Sequence, residues 1–247
     1  IPLIIDNTMA TPFLCQPIQY GADIVVHSTT KFLSGHGNAM GGAIVDSGTF
    51  DWAQNDKYPS LAQPEEAYHG LNFYESFGDL AYTTYGHAVG LRDLGPTMAP
   101  MNAYLTIMGI ETLALRMEKH VANAEVVANY LHNHDKVSWV SYAGLEESKY
   151  FHLAKKYLPK GAGSVFTFGI KGGYGAGVEF VEKCQLLSHL ANIGDTRSLV
   201  LHPASTTHRQ LTETQRISAG AGDDVIRLSI GLETVEDIIA DLEQALR

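Results

Sequence analysis

The sequence predicts an α/β protein, and three patterns in its 247 residues support this class. Short apolar runs rich in β-branched residues recur near the amino end and are separated by loop or short helical segments. A long central stretch repeats apolar residues at helical spacing. The second half then alternates strand-like and helical segments, which indicates an α+β arrangement.

The first three strands are predicted at residues 1–5, 22–26 and 41–45. Residues 1–5 contain no polar side chain, which indicates burial on both faces of a sheet. The two prolines in residues 11–20 predict a loop with at most a short helix there. Because the chain opens on a core-like strand, we expect upstream sequence that is missing, cleaved away or carried by another polypeptide.

The middle of the chain contains one ambiguous segment and one clear helix. Residues 46–101 are rich in aromatic and turn residues, so a lid, an insertion or a subunit contact would each explain them. Residues 103–132 show helical spacing, with Asn102 as the expected cap and Gly109 as the expected break or bend. We interpret this helix as the bridge between two domains. Thr234 is the predicted cap of a closing helix, and the strands of the second half are predicted in "VSWVSYAG", "GSVFTFGIKGG", "SLVLHP" and "DVIRLSIGLE".

Composition excludes several classes of function. The formal net charge of −10 argues against a nucleic-acid partner, which would require a basic stripe. No stretch approaches the eighteen apolar residues of a membrane span. Cys15 and Cys184 are isolated, as is typical of reduced thiols in a cytoplasmic protein. Without C-x-x-C spacing, no metal site is expected.

A lysine and a carboxylate are predicted to meet at one edge of the first sheet. Asp6 follows the first strand, and Lys31 follows the second. In parallel α/β sheets, ligands bind at the carboxyl ends of the strands, so both side chains can face one pocket. A partly buried lysine can form a Schiff base, and a carboxylate can keep a pyridine nitrogen protonated. Pyridoxal 5'-phosphate requires this pair.

Two hydroxyls extend this hypothesis. Ser28 and Thr30 are predicted to alternate on a strand, so both hydroxyls point the same way and can donate to a phosphate. The alternatives remain open: a lysine after two threonines is commonly a solvated strand end, and Asp-Asn-Thr is commonly a helix cap or Asx-turn. The glycines of "GHGNAMGG" match no phosphate-binding loop, and we expect them to permit a sharp turn and close packing.

Four motifs in order resemble the Cys/Met-metabolism family of pyridoxal-phosphate enzymes: "DNTMATP", "HSTTKFLSGHG", "LHPASTTHRQLT" and "IRLSIGLE". The resemblance implies fold type I, with a mostly parallel sheet domain followed by a smaller α+β domain. Residues 1–115 would be the carboxyl-terminal portion of the large cofactor-binding domain, and residues 116–247 the small domain. It also implies a homotetramer built from dimers.

The resemblance implies a role for each of eight residues. Lys31 would carry the Schiff base and shuttle protons, and Asp6 would pair with the pyridine nitrogen. Arg227 would hold the substrate α-carboxylate, supported by Thr207. Asn192 stands where many relatives have a serine that touches the same carboxylate. The implied cofactor-binding residues are Asp6, Thr8, Ser28, Thr30 and Lys31, and the implied substrate-binding residues are Asn192, Thr207 and Arg227.

Within this family, "YPSLAQPEEAYHGLNF" and "HPASTTHRQL" are most similar to the O-acetylhomoserine sulfhydrylase branch. That likeness implies a γ-replacement in methionine biosynthesis, in which sulfide or a thiol displaces acetate to give homocysteine or methionine. A γ-lyase, a cystathionine synthase and a non-catalytic remnant are the alternatives. The implied partners are the amino-acid substrate, further copies of the chain, and the upstream half of the enzyme as a separate or cleaved chain.

Overall fold

A computed structural model describes residues 1–247 and contains two β-sheets. The first sheet has the order β1-β2-β3, where β1 is Ile4–Asp6, β2 is Ile24–Ser28 and β3 is Gly42–Asp46. Strands β1 and β2 are parallel, and Asp6 pairs with Val26. All three predicted strands therefore exist, each displaced by one to three residues from its expected start.

Strand β3 runs antiparallel to β2, because the chain returns from the carboxyl end of β2 directly into β3. Ser28 pairs with Gly42, so the intervening segment closes on itself and has no crossover helix. The expectation that residues 1–5 are buried on both faces was wrong. Strand β1 has a single neighbour in the sheet, and 52% of Ile4 is exposed.

The ambiguous segment after β3 packs against the first sheet as an aromatic cluster. Trp52 and Phe73 are buried with Ile24 of β2, and the rings of Trp52 and Tyr82 stack with centroids 5.2 Å apart. Burial of these rings supplies the apolar contact that the short helices here could not form alone. Those helices are α2, Pro59–Ala62; α3, Phe73–Phe77; and α4, Ala81–Tyr85. Helix α1, Thr11–Leu14, lies earlier in the chain, between β1 and β2.

The predicted central helix is two helices, α5 at Pro100–Glu111 and α6 at Leu113–His132. The expected break at Gly109 was wrong: the backbone leaves the helical conformation at Thr112. Asn102 does not cap the helix either, because α5 begins at Pro100 and the Asn102 amide donates to the carbonyl of Met40 at 2.9 Å. Proline is favoured at a first helical position, which explains the earlier start.

The second sheet is mostly antiparallel and forms the main core with the helices around it. Its order is β4-β5-β8-β7-β6, and only the β6–β7 pair is parallel. Its strands are β4, Val137–Ser141; β5, Val165–Ile170; β6, Ser188–His189; β7, Leu199–Leu201; and β8, Val225–Ser229. The remaining helices are α7, Phe151–Tyr157; α8, Gly173–Lys183; α9, Glu213–Ser218; and α10, Val235–Leu246.

One apolar core joins this sheet to α6, α8 and α10. Val127 and Leu131 of α6 are fully buried in it, as are Phe168 of β5 and Leu242 of α10. Helix α6 therefore belongs to this core. Its first turns also lie beside the segment that joins β2 to β3. None of the helices combines the length and apolarity needed to cross a membrane.

Candidate active site

The carboxyl ends of β1 and β2 meet at one edge of the first sheet, as predicted. Asp6 is the last residue of β1, and Ser28 is the last residue of β2. Thr8 connects them: its hydroxyl accepts the Ser28 N–H at 2.8 Å, and its own N–H donates to Asp6 Oδ1 at 3.0 Å. Thr8 thus holds the two strand ends in register.

Asp6 is a solvent-accessible carboxylate with hydrogen-bond support. Hydrogen bonds from the Thr8 side chain and backbone hold the pKa of Asp6 below its ordinary value, because they stabilise the charged form. The carboxylate is therefore ionised at neutral pH. An exposed, ionised acid at this edge can accept a hydrogen bond from a protonated ring nitrogen.

Lys31 lies in a short helical turn, Thr29–Leu33, which we call the lysine turn. Thr30 belongs to this turn and not to β2, so the expected strand alternation of Ser28 and Thr30 was wrong. The Thr30 hydroxyl accepts the N–H of Gly41 at 3.2 Å, which ties the turn to the start of the next strand. Ser28 and Thr30 still lie within three residues of Lys31, at the end of β2.

The amine of Lys31 is half-buried and has one side-chain acceptor. Burial lowers the pKa of Lys31, and the positive charge of Arg227 lowers it further. Its Nζ donates to Asn192 Oδ1 at 2.5 Å. An amine with a depressed pKa is more often neutral, and the neutral form is the one that acts as a nucleophile or base.

Arg227 lies in the middle of β8, between Thr167 of β5 and Leu201 of β7. Its Nη2 donates to the main-chain carbonyl of Asn192 at 3.2 Å, and burial lowers its pKa. Asn192 therefore bonds Lys31 through its side chain and Arg227 through its backbone. The structure brings these three predicted residues together.

Thr207 is not part of this arrangement in the structure. It is exposed, and its hydroxyl is hydrogen-bonded to His208 Nδ1 at 2.8 Å. The predicted support of Arg227 by Thr207 has no hydrogen bond here, since the Arg227 guanidinium bonds Asn192 instead.

The sequence reasoning missed the close contact between the lysine turn and the loop that carries Asn192. A Cβ at Gly194 would lie 2.7 Å from the backbone nitrogen of Phe32, so a larger residue would push the two segments apart. The Thr196 N–H also donates to the Gly35 carbonyl at 2.8 Å. Gly194, in "ANIGD", is the sequence feature that could have indicated this close contact.

The donor set fits the cofactor that the sequence indicates. It offers an ionised carboxylate in Asp6, hydroxyls in Ser28 and Thr30, and the amine of Lys31, whose pKa is depressed. These groups match the ring nitrogen, phosphate and aldehyde of pyridoxal 5'-phosphate in chemical type. No cluster of three or more His, Cys, Asp or Glu side chains is arranged to hold a metal ion.

Comparison with protein families decides the assignment. The family model described as "Cys/Met metabolism PLP-dependent enzyme" matches residues 1–247. The chain belongs to this family. Its members depend on pyridoxal 5'-phosphate, and the fold is that of the type I enzymes of this class, as predicted.

Individual relatives point to one branch. The chain is 49% identical to the O-acetyl-L-homoserine sulfhydrylase of Leptospira meyeri and 50% identical to the homocysteine synthase of Schizosaccharomyces pombe. All of this chain is aligned in both cases, but it spans 58% of the length of each relative. A Campylobacter jejuni structure assigned as an O-acetylhomoserine (thiol)-lyase superposes with a TM-score of 0.95 at 44% identity, covering 100% of this chain and 59% of that one. That crystal structure carries a pyridoxyl-lysine monophosphate.

Proposed function

We propose that this chain is the lysine-bearing part of an enzyme that exchanges the acetoxy group of O-acetylhomoserine for sulfur. Sulfide gives homocysteine plus acetate, and methanethiol gives methionine plus acetate. The observation that carries the proposal is the bridge through Asn192, which joins a half-buried amine to a half-buried guanidinium. The relatives named as sulfhydrylases and homocysteine synthases support the choice of substrate.

The substrate is held through its carboxylate. Arg227 presents a planar fork of N–H donors that suits the α-carboxylate of an amino acid. Its half-buried position strengthens that charge-assisted interaction, because less water competes for the donors. The carboxylate on Arg227 places the substrate Cα on the side of Lys31.

The proton transfers fall to Lys31. Pyridoxal 5'-phosphate, when bound, supplies an electron sink for the electrons of the bond broken at Cα. Lys31 would take the Cα proton, since its depressed pKa favours the neutral amine. Loss of a Cβ proton and of acetate from Cγ then opens Cγ to the sulfur nucleophile, and Lys31 returns protons to the product carbons. Asn192 Oδ1 would accept a hydrogen bond from the amine whenever it is free.

The remaining groups would hold the cofactor. The Asp6 carboxylate would accept a hydrogen bond from the pyridine nitrogen, and its low pKa keeps it ionised for that role. Ser28 and Thr30 would donate to the phosphate. Thr8 would contribute by fixing Asp6 and the Ser28 backbone. Thr207 stays in the proposal as a support for Arg227 once a carboxylate is bound.

The assembly is also proposed. Residues 1–115 would complete the large domain together with the segment by which the relatives are longer, and residues 116–247 would form the small domain. Large apolar side chains exposed on the first sheet and on α5 support a covering partner, whether that segment or further copies in a homotetramer. They include Ile4, Ile44, Val45, Met101, Tyr104 and Ile107. The two free thiols support a cytoplasmic location.

Borohydride reduction tests the cofactor role. Reduction of the purified holoenzyme followed by peptide mapping should place a pyridoxyl adduct on Lys31. The variant Lys31→Ala should lose the adduct and turnover, whereas the control Lys171→Ala should keep both, because that surface lysine donates to the Asp135 carbonyl. An adduct on another residue, or none, would refute the proposal.

A substrate comparison separates the alternatives. The holoenzyme should consume O-acetylhomoserine with sulfide faster than it cleaves methionine or cystathionine. Faster cleavage of methionine would favour a γ-lyase, and formation of cystathionine from cysteine would favour a cystathionine synthase. An enzyme that is unchanged in every assay by Lys31→Ala would be a non-catalytic remnant.

A further inference from the structure

Arg116 on α6 is a buried arginine without a carboxylate partner. It is 6% exposed, and every hydrogen bond of its guanidinium goes to an uncharged oxygen. Burying an arginine in this way is costly unless its donors are satisfied. The groups that accept hydrogen bonds from Arg116 therefore indicate its role.

The acceptors lie directly after Lys31 in the chain. Nη1 donates to the carbonyl of Phe32 at 2.8 Å, and Nη2 donates to that of Leu33 at 3.3 Å. Nη2 also donates to the carbonyl of Gly109 at 2.7 Å, near the end of α5. One side chain therefore ties the second half of the lysine turn to two helices.

The surrounding backbone is shaped to admit the guanidinium. Gly35 has a φ of +75°, and a Cβ there would lie 2.3 Å from Arg116 Nη1. Gly109 brings α5 close to the same segment, since a Cβ at that position would lie 2.4 Å from the carbonyl oxygen of Ser34. Both glycines permit an approach that any larger residue would block.

The lysine turn needs an external support of this kind. Lys31 has φ −89° and ψ −129°, so the turn is interrupted at the residue that carries the amine. Its carbonyl accepts the N–H of Gly35 at 2.8 Å, and the N–H of Ser34 approaches it as well. These bonds hold the end of the turn, but the helical dihedral angles are broken at Lys31 itself, so regular helix geometry does not continue through the residue that carries the amine.

We infer that Arg116 is a positioning residue for Lys31: its fork holds the Phe32 and Leu33 carbonyls and thereby fixes the backbone from which the amine reaches Asn192. The inference rests on the role proposed above for Lys31. Lysine could not replace it, because one ammonium cannot serve carbonyls of both the lysine turn and α5 in the fixed geometry of a guanidinium. A displacement of about 1 Å at a reacting group can cost about 100-fold in rate.

The test compares Arg116→Met and Arg116→Lys with Arg216→Met in the holoenzyme. Arg216 is a matched control, since it is also largely buried and donates to a carbonyl, that of Leu211, and to Asp223. The readouts are melting temperature, kcat, KM and the pH midpoint of the absorbance of the lysine-bound cofactor. That midpoint reports the environment of the Lys31 nitrogen and not stability.

We expect both Arg116 variants to lower kcat by about 10- to 100-fold and to move the absorbance midpoint by at least about half a pH unit. Arg216→Met should lower the melting temperature and leave the midpoint unchanged. A folded Arg116→Met or Arg116→Lys enzyme with the wild-type midpoint and kcat would overturn the inference. Failure of both variants to fold would overturn it too, because the residue would then serve folding. Absence of a wild-type adduct on Lys31 would instead count against the proposed function.

Discussion

Asn192 is the residue where the two chemical groups of the site are joined. Its side-chain oxygen accepts from Lys31, whereas its main-chain carbonyl accepts from Arg227. A substitution at this position removes the first contact and keeps the second. Kinetics can therefore separate the two roles.

We expect Asn192→Ala to lower kcat by about tenfold, as for a lost hydrogen bond to a charged group, with little change in KM for O-acetylhomoserine. Arg227→Lys should mainly raise that KM, because an ammonium lacks the planar fork. Steady-state kinetics of the two holoenzymes would measure this split. An equal rise in KM for both variants would contradict it.

His120 is a buried neutral histidine beside the lysine turn. Its Nδ1 donates to the carbonyl of Ile230, its Nε2 has no partner, and its ring meets that of Phe32 edge-on at 5.3 Å. Burial lowers the pKa of His120 to about 4. In the unfolded chain His120 binds a proton near its ordinary pKa of 6.5, whereas the folded chain disfavours the protonated ring.

Because the folded pKa lies below the unfolded one, the contribution of His120 to stability is complete above pH 6.5 and is lost as the pH falls towards 4. The loss amounts to about 3 kcal/mol. Denaturant titrations at pH 7 and pH 4.5 should show a smaller acid loss in His120→Asn, which keeps an N–H donor but does not titrate. The same acid loss in both proteins would show that other groups dominate.

At the scale of elements, the sequence correctly predicted the strands and helices that depend mainly on neighbouring residues. Apolar runs located the strands, and helical spacing located α5, α6 and α10. The end of β2 was misjudged, because Thr30 is favourable in a strand by propensity but is drawn into the lysine turn by its bonds to Gly41. Asn102 has the chemistry of a helix cap, but its side-chain amide instead donates a hydrogen bond to the carbonyl of Met40, which is distant in the sequence.

Gly109 gives a prediction at this scale. Replacing it with alanine would place a Cβ 2.4 Å from Ser34 O and 2.5 Å from Leu33 O, both of them backbone atoms. We expect a loss of about 1–3 kcal/mol in the free energy of unfolding. The control Gly90→Ala, in the helical segment Gly86–Asp93 with no atom within 4 Å of its Cβ, should be neutral or slightly stabilising. Equal effects in chemical denaturation would disprove the close packing of α5.

For the whole molecule, the site depends on contacts between distant parts of the chain. Asp6 and Lys31 could be named because each follows a predicted strand, and Arg227 could be named only through the motif "IRLSIGLE" that the chain shares with its family. The bridge through Asn192 and the close approach at Gly194 could not, since no local pattern records which loop meets the lysine turn. The exposed position of Thr207 likewise depends on how residues 202–212 fold over the second sheet.

The exposed apolar surface of the first sheet and α5 predicts association. The chain expressed alone should bind a hydrophobic dye and sediment as species larger than a monomer, because such surface is costly in water. Co-expression with the segment by which a relative is longer should reduce dye binding. A monodisperse monomer that binds no dye would contradict the prediction. Analytical ultracentrifugation and dye fluorescence provide the measurements.

Helix α6 runs unbroken from the lysine turn into the main core. Arg116 and His120 are buried on its early turns, and Val127 and Leu131 are buried in the main core further along. Because α6 is continuous, loosening its packing at Leu131 would also shift Arg116 and, through the carbonyls that Arg116 holds, the position of the Lys31 amine. If Lys31 has the proposed role, laboratory selection for heat resistance in residues 124–131 should therefore alter turnover, even though none of those side chains is hydrogen-bonded to Lys31.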